Sequence, residues 1–358
     1  MISSKASLAP HYSILLCYEG YGYENTSNYK NTTIGFHGIG NIHAVRDAYQ
    51  KISSLCLNQT ANDAKWSQLV EDTNWLSQIR AILSASWQAA FHIRYNRLPI
   101  IVRCSHGWDR TSQVCSLTQL FLDPYYRTRA GFSCLISKDF LALGHPFHTR
   151  CGHGEGRGER GGGSSSNGQG DEGQVSPIFI QFLDCVFQMV DQFPDYFEFN
   201  TKYLLVLSEH VYSCRFGTLL CDTEREREVV ASIRQRTHCV WEYLDSLPDL
   251  INNSFSPIDL KPDDFEGDGT LMMPLSTLLR NVTLWTDRHC MHGAKSTMRS
   301  DPNGSKTLEL STEQPLYGSR DIRDNILRDA LEQASRWKAI ALEKEEEIAQ
   351  LKKEMTLT

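Results

Sequence analysis

Apolar residues recur along the chain at helical spacing, broken by one short β-branched run and several polar stretches. From His43 to Leu57, Val45, Ala48, Ile52 and Leu55 fall on one side of a helix. Lys65 to Val70 reads as a short helix. Trp75 to about Tyr95 reads as a long one, with Leu76, Ile79, Ile82, Leu83 and Trp87 on its buried face and Thr73 or Asn74 as its cap. Leu98 to Arg103 has the length and β-branching of a buried strand. After it, Val114, Leu117, Leu120 and Phe121 sit at helical spacing between Ser112 and Leu122. Further helices are predicted from Ile178 to Phe193, from Thr201 to Leu220 and from Val240 to Leu247. Helix, strand, helix is the order of an α/β chain.

The polar stretches divide the chain. Residues 1–35, with Gly20, Gly22 and several asparagines, read as a loop-rich lead-in, and residues 36–290 as one domain. Residues 154–174 are rich in glycine, serine and charge. They hold too little apolar surface to offset their ordering entropy, and read as a disordered insertion. Residues 252–270 and 291–320 read as linkers. From 321 to 356, Leu327, Ala330, Ala334, Trp337, Ala341, Lys344, Ile348, Leu351 and Met355 alternate three- and four-residue steps. That is a heptad seam broken once by Lys344, so a coiled-coil helix is expected.

Composition narrows the class. The 358 residues allow a sizeable core, and a net charge of −7 gives no global signal for nucleic acid. The 11 cysteines are scattered without zinc spacing, which reads as reduced thiols in a cytoplasmic protein. Membrane spans of ~20 apolar residues are not found. Met1 to Tyr23 holds only the short apolar run Ile14 to Cys17, with no cleavage-like pattern.

The chemistry-bearing stretch is Cys104-Ser-His-Gly-Trp-Asp-Arg110-Thr111. It joins the predicted strand to the predicted helix, with Gly107 where the chain must turn. Backbone N–H groups of such a loop and of the first helical turn lack internal partners and favour an anion. A thiol placed there ionises more readily than an ordinary cysteine. The Arg110 guanidinium matches two phosphate oxygens. This arrangement suits phosphoester hydrolysis through a cysteinyl-phosphate, with Cys104 as nucleophile, Arg110 and the loop amides holding the transition-state oxygens, and Asp109, the carboxylate within the loop, as acid. Asp184, Glu209 and His210 fall inside predicted helices, where satisfied core polar groups are the commoner outcome.

The loop resembles the signature of the myotubularin family, lipid phosphatases of the cysteine-phosphatase (protein tyrosine phosphatase-like) fold. Gly38-Ile-Gly-Asn-Ile-His43 with Arg46, Asp123-Pro-Tyr-Tyr-Arg127-Thr128, Phe147-His-Thr-Arg150-Cys-Gly-His153-Gly154, Ser176-Pro-Ile-Phe-Ile-Gln-Phe182 and Phe193-Pro-x-x-Phe-Glu-Phe-Asn200 are similar to family landmarks in family order, over roughly residues 20–290. The resemblance implies a partial fold of that class and a phosphoinositide membrane lipid as substrate. Phosphatidylinositol 3-phosphate is the class expected, with the 3,5-bisphosphate as an extension. It also implies substrate contacts from Asn41, Ile42, Ser105, His106, Gly107, Trp108 and Arg150, and catalytic roles for Cys104, Asp109 and Arg110. No cofactor and no metal are implied. Arg127 and Arg150 are expected to add to the basic pocket, Arg150 reaching a second phosphate, and Tyr125 to Arg127 to pack under the loop. Asn41 is equally read as a helix cap.

The sequence departs from the pattern at several positions. The amino-terminal lipid-binding domain and the first half of the catalytic domain are expected to be missing. His106 stands where the family has an aspartate, Arg103 where it has a histidine, and Pro146 where it has a basic residue. Two rivals stay open: an inactive pseudo-phosphatase acting as a coiled-coil scaffold, and a protein tyrosine phosphatase. A homo- or heterodimer through the coiled coil and a peripheral place on endosomal-type membranes complete the expectation.

Overall fold

Strands form where β-branched and apolar residues recur over four or five positions, and three such runs pair here. In the computed structural model, residues 12–16, 32–57, 63–153, 174–255, 271 and 274–290 are described. Strands β1 (Tyr12–Leu16), β2 (Thr32–Phe36) and β3 (Ile100–Arg103) make a parallel sheet of order β2-β1-β3. Parallel pairing needs a long crossover, and between β2 and β3 the chain supplies helices α1 (Ile42–Leu57), α2 (Trp66–Asp72) and α3 (Trp75–Asn96).

Residues 1–35 are not wholly loop-rich, since they carry β1 and most of β2. Five-residue strands, one of them with Gly35 inside it, give too few alternations to stand out from a polar surrounding. Strand β3 is not buried on both faces: Ile101 is 50% exposed. Ile100 and Val102 turn towards the helices, with Val102 against the core, while Ile101 lies on the opposite face.

Past the site loop run α4 (Arg110–Leu122), α5 (Arg129–Ile136), α6 (Phe147–Cys151), α7 (Ile178–Gln192) and α8 (Thr201–Ser213). Short helices α9 (Ile233–Arg236), α10 (Val240–Asp245), α11 (Leu275–Arg280) and α12 (Thr286–His289) follow. Helix α7 is buried continuously from Ile178 to Val190, as an all-round apolar sequence requires. Its polar residues are paired: Gln181 accepts from Gln113 and donates to Gln78, and Asp184 accepts from Trp75 and Gln188.

The long helix α3 starts where expected. Asn74 stands at its N-cap in a left-handed conformation (φ 63°) without a side-chain cap bond, and the Thr73 hydroxyl accepts from the Trp75 N–H at 3.2 Å. Helix α8 stops earlier than its apolar pattern suggests. Cys214 adopts a left-handed conformation (φ 52°), and Phe216 is buried from an irregular segment. Arg127 is also misplaced by the sequence reading. It lies beyond the far end of α4, which spans about 20 Å, and its buried guanidinium donates to the Leu120 carbonyl at 2.7 Å. It does not line the loop. Within the charge-alternating run Glu224 to Glu228, Arg227 is buried.

The chain divides into two units, Met1–Thr307 and Leu308–Thr358. Of the predicted insertion 154–174 and linker 252–270, residues 154–173 and 256–270 lie outside the described residues, as do the linker 291–320 and the coiled-coil segment 321–356, whereas Gln174 and Asn252 bond to Arg150 and the Pro194 carbonyl.

Candidate active site

The site is the turn between β3 and α4. Cys104 follows the last strand residue, and α4 opens six residues later at Arg110. Gly107 makes the turn with φ +84°, a conformation costly for any residue with a Cβ. Its N–H donates to the Cys104 sulfur at 3.2 Å. Burial of Cys104 disfavours a thiolate. The Thr111 hydroxyl and the N–H groups of Thr111, Gly107 and His106 outweigh that cost, so the thiol ionises below its ordinary range. The Thr111 hydroxyl is buried and meets no hydrogen-bond partner of ordinary geometry, sulfur included; its closeness to Cys104 still favours the thiolate.

Arg110 is buried and folds back across the loop. It donates to the Ser105 hydroxyl at 3.0 Å and to the Ile39 carbonyl at 3.4 Å. The guanidinium thus reaches the neighbour of the nucleophile and fastens the segment before α1 against the loop. Asn41, near that segment's end, caps α1: its side-chain oxygen accepts from the N–H groups of His43 (3.1 Å) and Ala44 (3.0 Å). Ile42 accepts at its carbonyl from Ser176 at 2.8 Å.

The mouth of the loop is aromatic. The His106 imidazole stacks on the Trp108 indole, centroids 5.0 Å apart and planes 9° from parallel. His106 and Ser105 are exposed and Trp108 is half-buried. Arg103 lies exposed on the Ile101 side of β3.

Asp109 turns away from the helix it precedes and makes no side-chain cap bond, which leaves the first-turn amides of α4 unclaimed by it. Its carboxylate is clamped instead. Arg150 of α6 donates from Nε at 3.2 Å and Nη2 at 2.9 Å, one nitrogen to each oxygen. The His145 Nδ1 lies 3.1 Å from the same carboxylate and 2.8 Å from the Trp108 carbonyl. Burial opposes ionisation of Asp109, but His145 and then Arg150 overrule it and hold the pKa at about 2. Asp109 is therefore an anion near neutral pH in this arrangement. Arg150 is neither a surface residue nor idle; it is buried and also donates to the Gln174 carbonyl at 2.9 Å.

Sequence reading overlooked two residues. Thr111 was signalled by its place directly after Arg110, at the start of the helix. His145 was signalled only by the Gly144-His-Pro turn, and its contact with Asp109 is a tertiary one. Glu209 and His210 lie on α8, Glu209 exposed and His210 bonded to Ser213, and Asp184 is a core group.

Residues 11–228 match the family described as "Myotubularin-like phosphatase domain", which carries a cysteine-phosphatase-like fold. The chain is 42% identical over 225 residues to the phosphatidylinositol-3,5-bisphosphate 3-phosphatase MTMR8 of Gallus gallus, covering 63% of this chain and 33% of that protein. It is 38% identical over 270 residues to the phosphatidylinositol-3-phosphate phosphatase MTMR7 of Homo sapiens, covering 75% and 38%. It is 41% identical over 306 residues to the phosphatidylinositol-3,5-bisphosphate 3-phosphatase MTMR6 of Mus musculus, covering 85% and 46%. The chain thus spans less than half the length of these curated relatives.

Proposed function

Since the chain belongs to the myotubularin family, we propose that it removes the 3-phosphate of phosphatidylinositol 3-phosphate through a cysteinyl-phosphate. The observation that carries this reading is the low-ionising Cys104 sulfur, ringed by loop amides in the same turn as the buried Arg110. The thiolate attacks phosphorus, the bond from phosphorus to the inositol oxygen breaks, and Arg110 with the loop amides holds the equatorial oxygens. Water then cleaves the sulfur–phosphorus bond.

Asp109 is the proposed proton carrier. Ionised as it stands, it suits the second step, taking a proton from the attacking water. To act as acid in the first step it must gain a proton. Substrate charge that draws Arg150 from Asp109 favours this, because the ion pair is one of the groups holding its pKa down.

Asn41, Ile42, Ser105, His106, Gly107, Trp108 and Arg150 are the proposed headgroup contacts. The Ile39–Arg110 bond supports the first two, since it ties their segment to the loop. Pro146 adds no charge for a second phosphate, so we assign the monophosphate as the better substrate. The heptad seam of 321–356 supports pairing with a like or related chain, and lipid chemistry supports a peripheral site on the cytoplasmic side of endosomal-type membranes.

The test is phosphate release by the purified chain from short-chain phosphatidylinositol 3-phosphate, its 3,5-bisphosphate and a phosphotyrosine peptide, with Cys104→Ser as blank. Turnover of the monophosphate above the other two is expected. Peptide turnover alone would make it a tyrosine phosphatase, and no turnover of any substrate would leave a scaffold.

A further inference from the structure

Asp109 stands at the N-cap of α4, and aspartate is among the residues that cap helices best. In that role its carboxylate would accept from first-turn N–H groups and put a negative charge at the positive end of the helix dipole. Those are the groups that an incoming phosphate needs. A capping Asp109 would therefore occupy the anion site of its own loop. The arrangement found is the opposite. The side chain makes no cap bond, and the Asp109 backbone (φ −107°, ψ −91°) lies away from the extended conformation of an ordinary N-cap.

His145 holds both the backbone and the side chain in that state. Its Nδ1 lies 2.8 Å from the Trp108 carbonyl and 3.1 Å from the Asp109 carboxylate. A carbonyl oxygen only accepts, so Nδ1 carries the hydrogen. One N–H thus fixes the peptide leading into Asp109 and the carboxylate that Asp109 projects. The ring is fully buried, edge-on to Phe140 and Phe147 with centroids 5.4 and 4.8 Å away, and its Nε2 has no hydrogen-bond partner. An unpaired nitrogen in apolar surroundings is unfavourable, and a phenylalanine would fill the same space without it. The Ser112 hydroxyl also donates to the Trp108 carbonyl, at 3.2 Å, and Arg150 donates to the carboxylate. Neither bond spans both groups. Arg150 is moreover the partner that substrate charge draws away, whereas His145 has no exposed surface from which to leave.

We propose that His145 is a positioning residue that keeps Asp109 from capping its own helix, so that the first-turn amides of α4 stay open to phosphate. This rests on the reading of the loop as a phosphate site and names the residue that keeps the site vacant. Its effect falls on anion binding, through Asp109, and needs no contact between His145 and substrate.

The test uses the full chain at neutral pH with inorganic phosphate as the anion. The measurement is protection of Cys104 from iodoacetate, read on its own peptide by mass spectrometry. His145→Leu and His145→Asn match in size, and only Asn keeps a donor; His145→Phe fills the space of the ring without one. The phosphate needed for half-protection is expected to rise about tenfold in the Leu and Phe variants and to stay near the parent's in Asn. In an Asp109→Ala background His145→Leu should have no further effect, because the obstructing carboxylate is gone. Should the Phe variant fail to fold, the Leu and Asn pair decides. Unchanged protection in His145→Leu, an equal loss in His145→Asn, or a loss that persists without the Asp109 carboxylate would overturn the proposal and leave His145 a packing group. A parent that phosphate does not protect would sink this proposal and the phosphate site together. A protected parent that leaves phosphatidylinositol 3-phosphate intact would sink the lipid reading alone.

Discussion

Thr111 decides how strongly the nucleophile is activated. Burial raises the cost of a thiolate at Cys104, and the Thr111 hydroxyl heads the groups that reverse it. A hydrogen bond to a charged acceptor is worth about 1.5–3 kcal/mol, which corresponds to about one or two pH units. Thr111→Val keeps the shape and removes the donor. Its iodoacetate inactivation, followed against pH, is expected to show a midpoint about one unit higher than the parent. An unmoved midpoint would assign the activation to the backbone N–H groups alone. Cys104, Gly107 and Arg110 were legible in the sequence because a loop between strand and helix declares its own geometry. Thr111 was half-legible. It stands in the motif, but nothing in sequence says whether a helix-opening hydroxyl faces a sulfur or the solvent.

At the scale of elements, the clamp on Asp109 joins the loop to α6 and to the turn before it, across 41 residues of sequence. That span explains why it was not legible: the sequence offered Asp109 as an acid and Arg150 as a phosphate ligand, and only tertiary packing makes them partners. Arg127 teaches the same lesson. A basic residue after the loop helix looks like pocket lining, yet it is a staple at the helix's far end, donating to Leu120. The clamp has a pH signature. The folded carboxyl titrates near 2, below its ordinary 3.8. The stabilisation it gives is therefore full above the unfolded value and fades as pH falls through the folded one. The difference amounts to about 2 kcal/mol. Urea midpoints of the parent are expected to drop between pH 4 and 2, and Asp109→Asn should flatten that part of the profile. Asn should also start lower, since Arg150 is left buried beside a neutral group, at a cost of about 3 kcal/mol. A parallel pH profile in the variant would mean that another carboxylate carries the acid limb.

Over the whole molecule, the five longest described helices declared themselves by periodicity, whereas β1, β2 and the true exposure of β3 did not, because strand length and face depend on what pairs and what packs. A buried polar knot holds the helical layer together and was read from sequence only as a satisfied core group. Asp184 of α7 accepts from Trp75 Nε1 of α3 at 2.7 Å, from Gln188 Nε2 at 2.9 Å, and lies 3.1 Å from His289 Nε2 of α12. The rings of Trp75, Tyr49 and His289 close around it, with centroids 5.3 to 5.9 Å apart. Asp184 and His289 have fully buried side chains, so removing the carboxylate strands donors where water cannot replace it. Asp184→Ala is expected to cost about 3–5 kcal/mol, a fall in melting temperature on the order of 10 °C for a unit of this size. The knot makes no bond to the catalytic loop, whose sulfur is activated by local amides. Below the melting transition, the pH midpoint of Cys104 alkylation should therefore match the parent. A variant that melts early but alkylates normally would separate what holds the helices from what ionises the thiol. A shift in both would mean that α3 transmits the loss to the loop through its packing on α4.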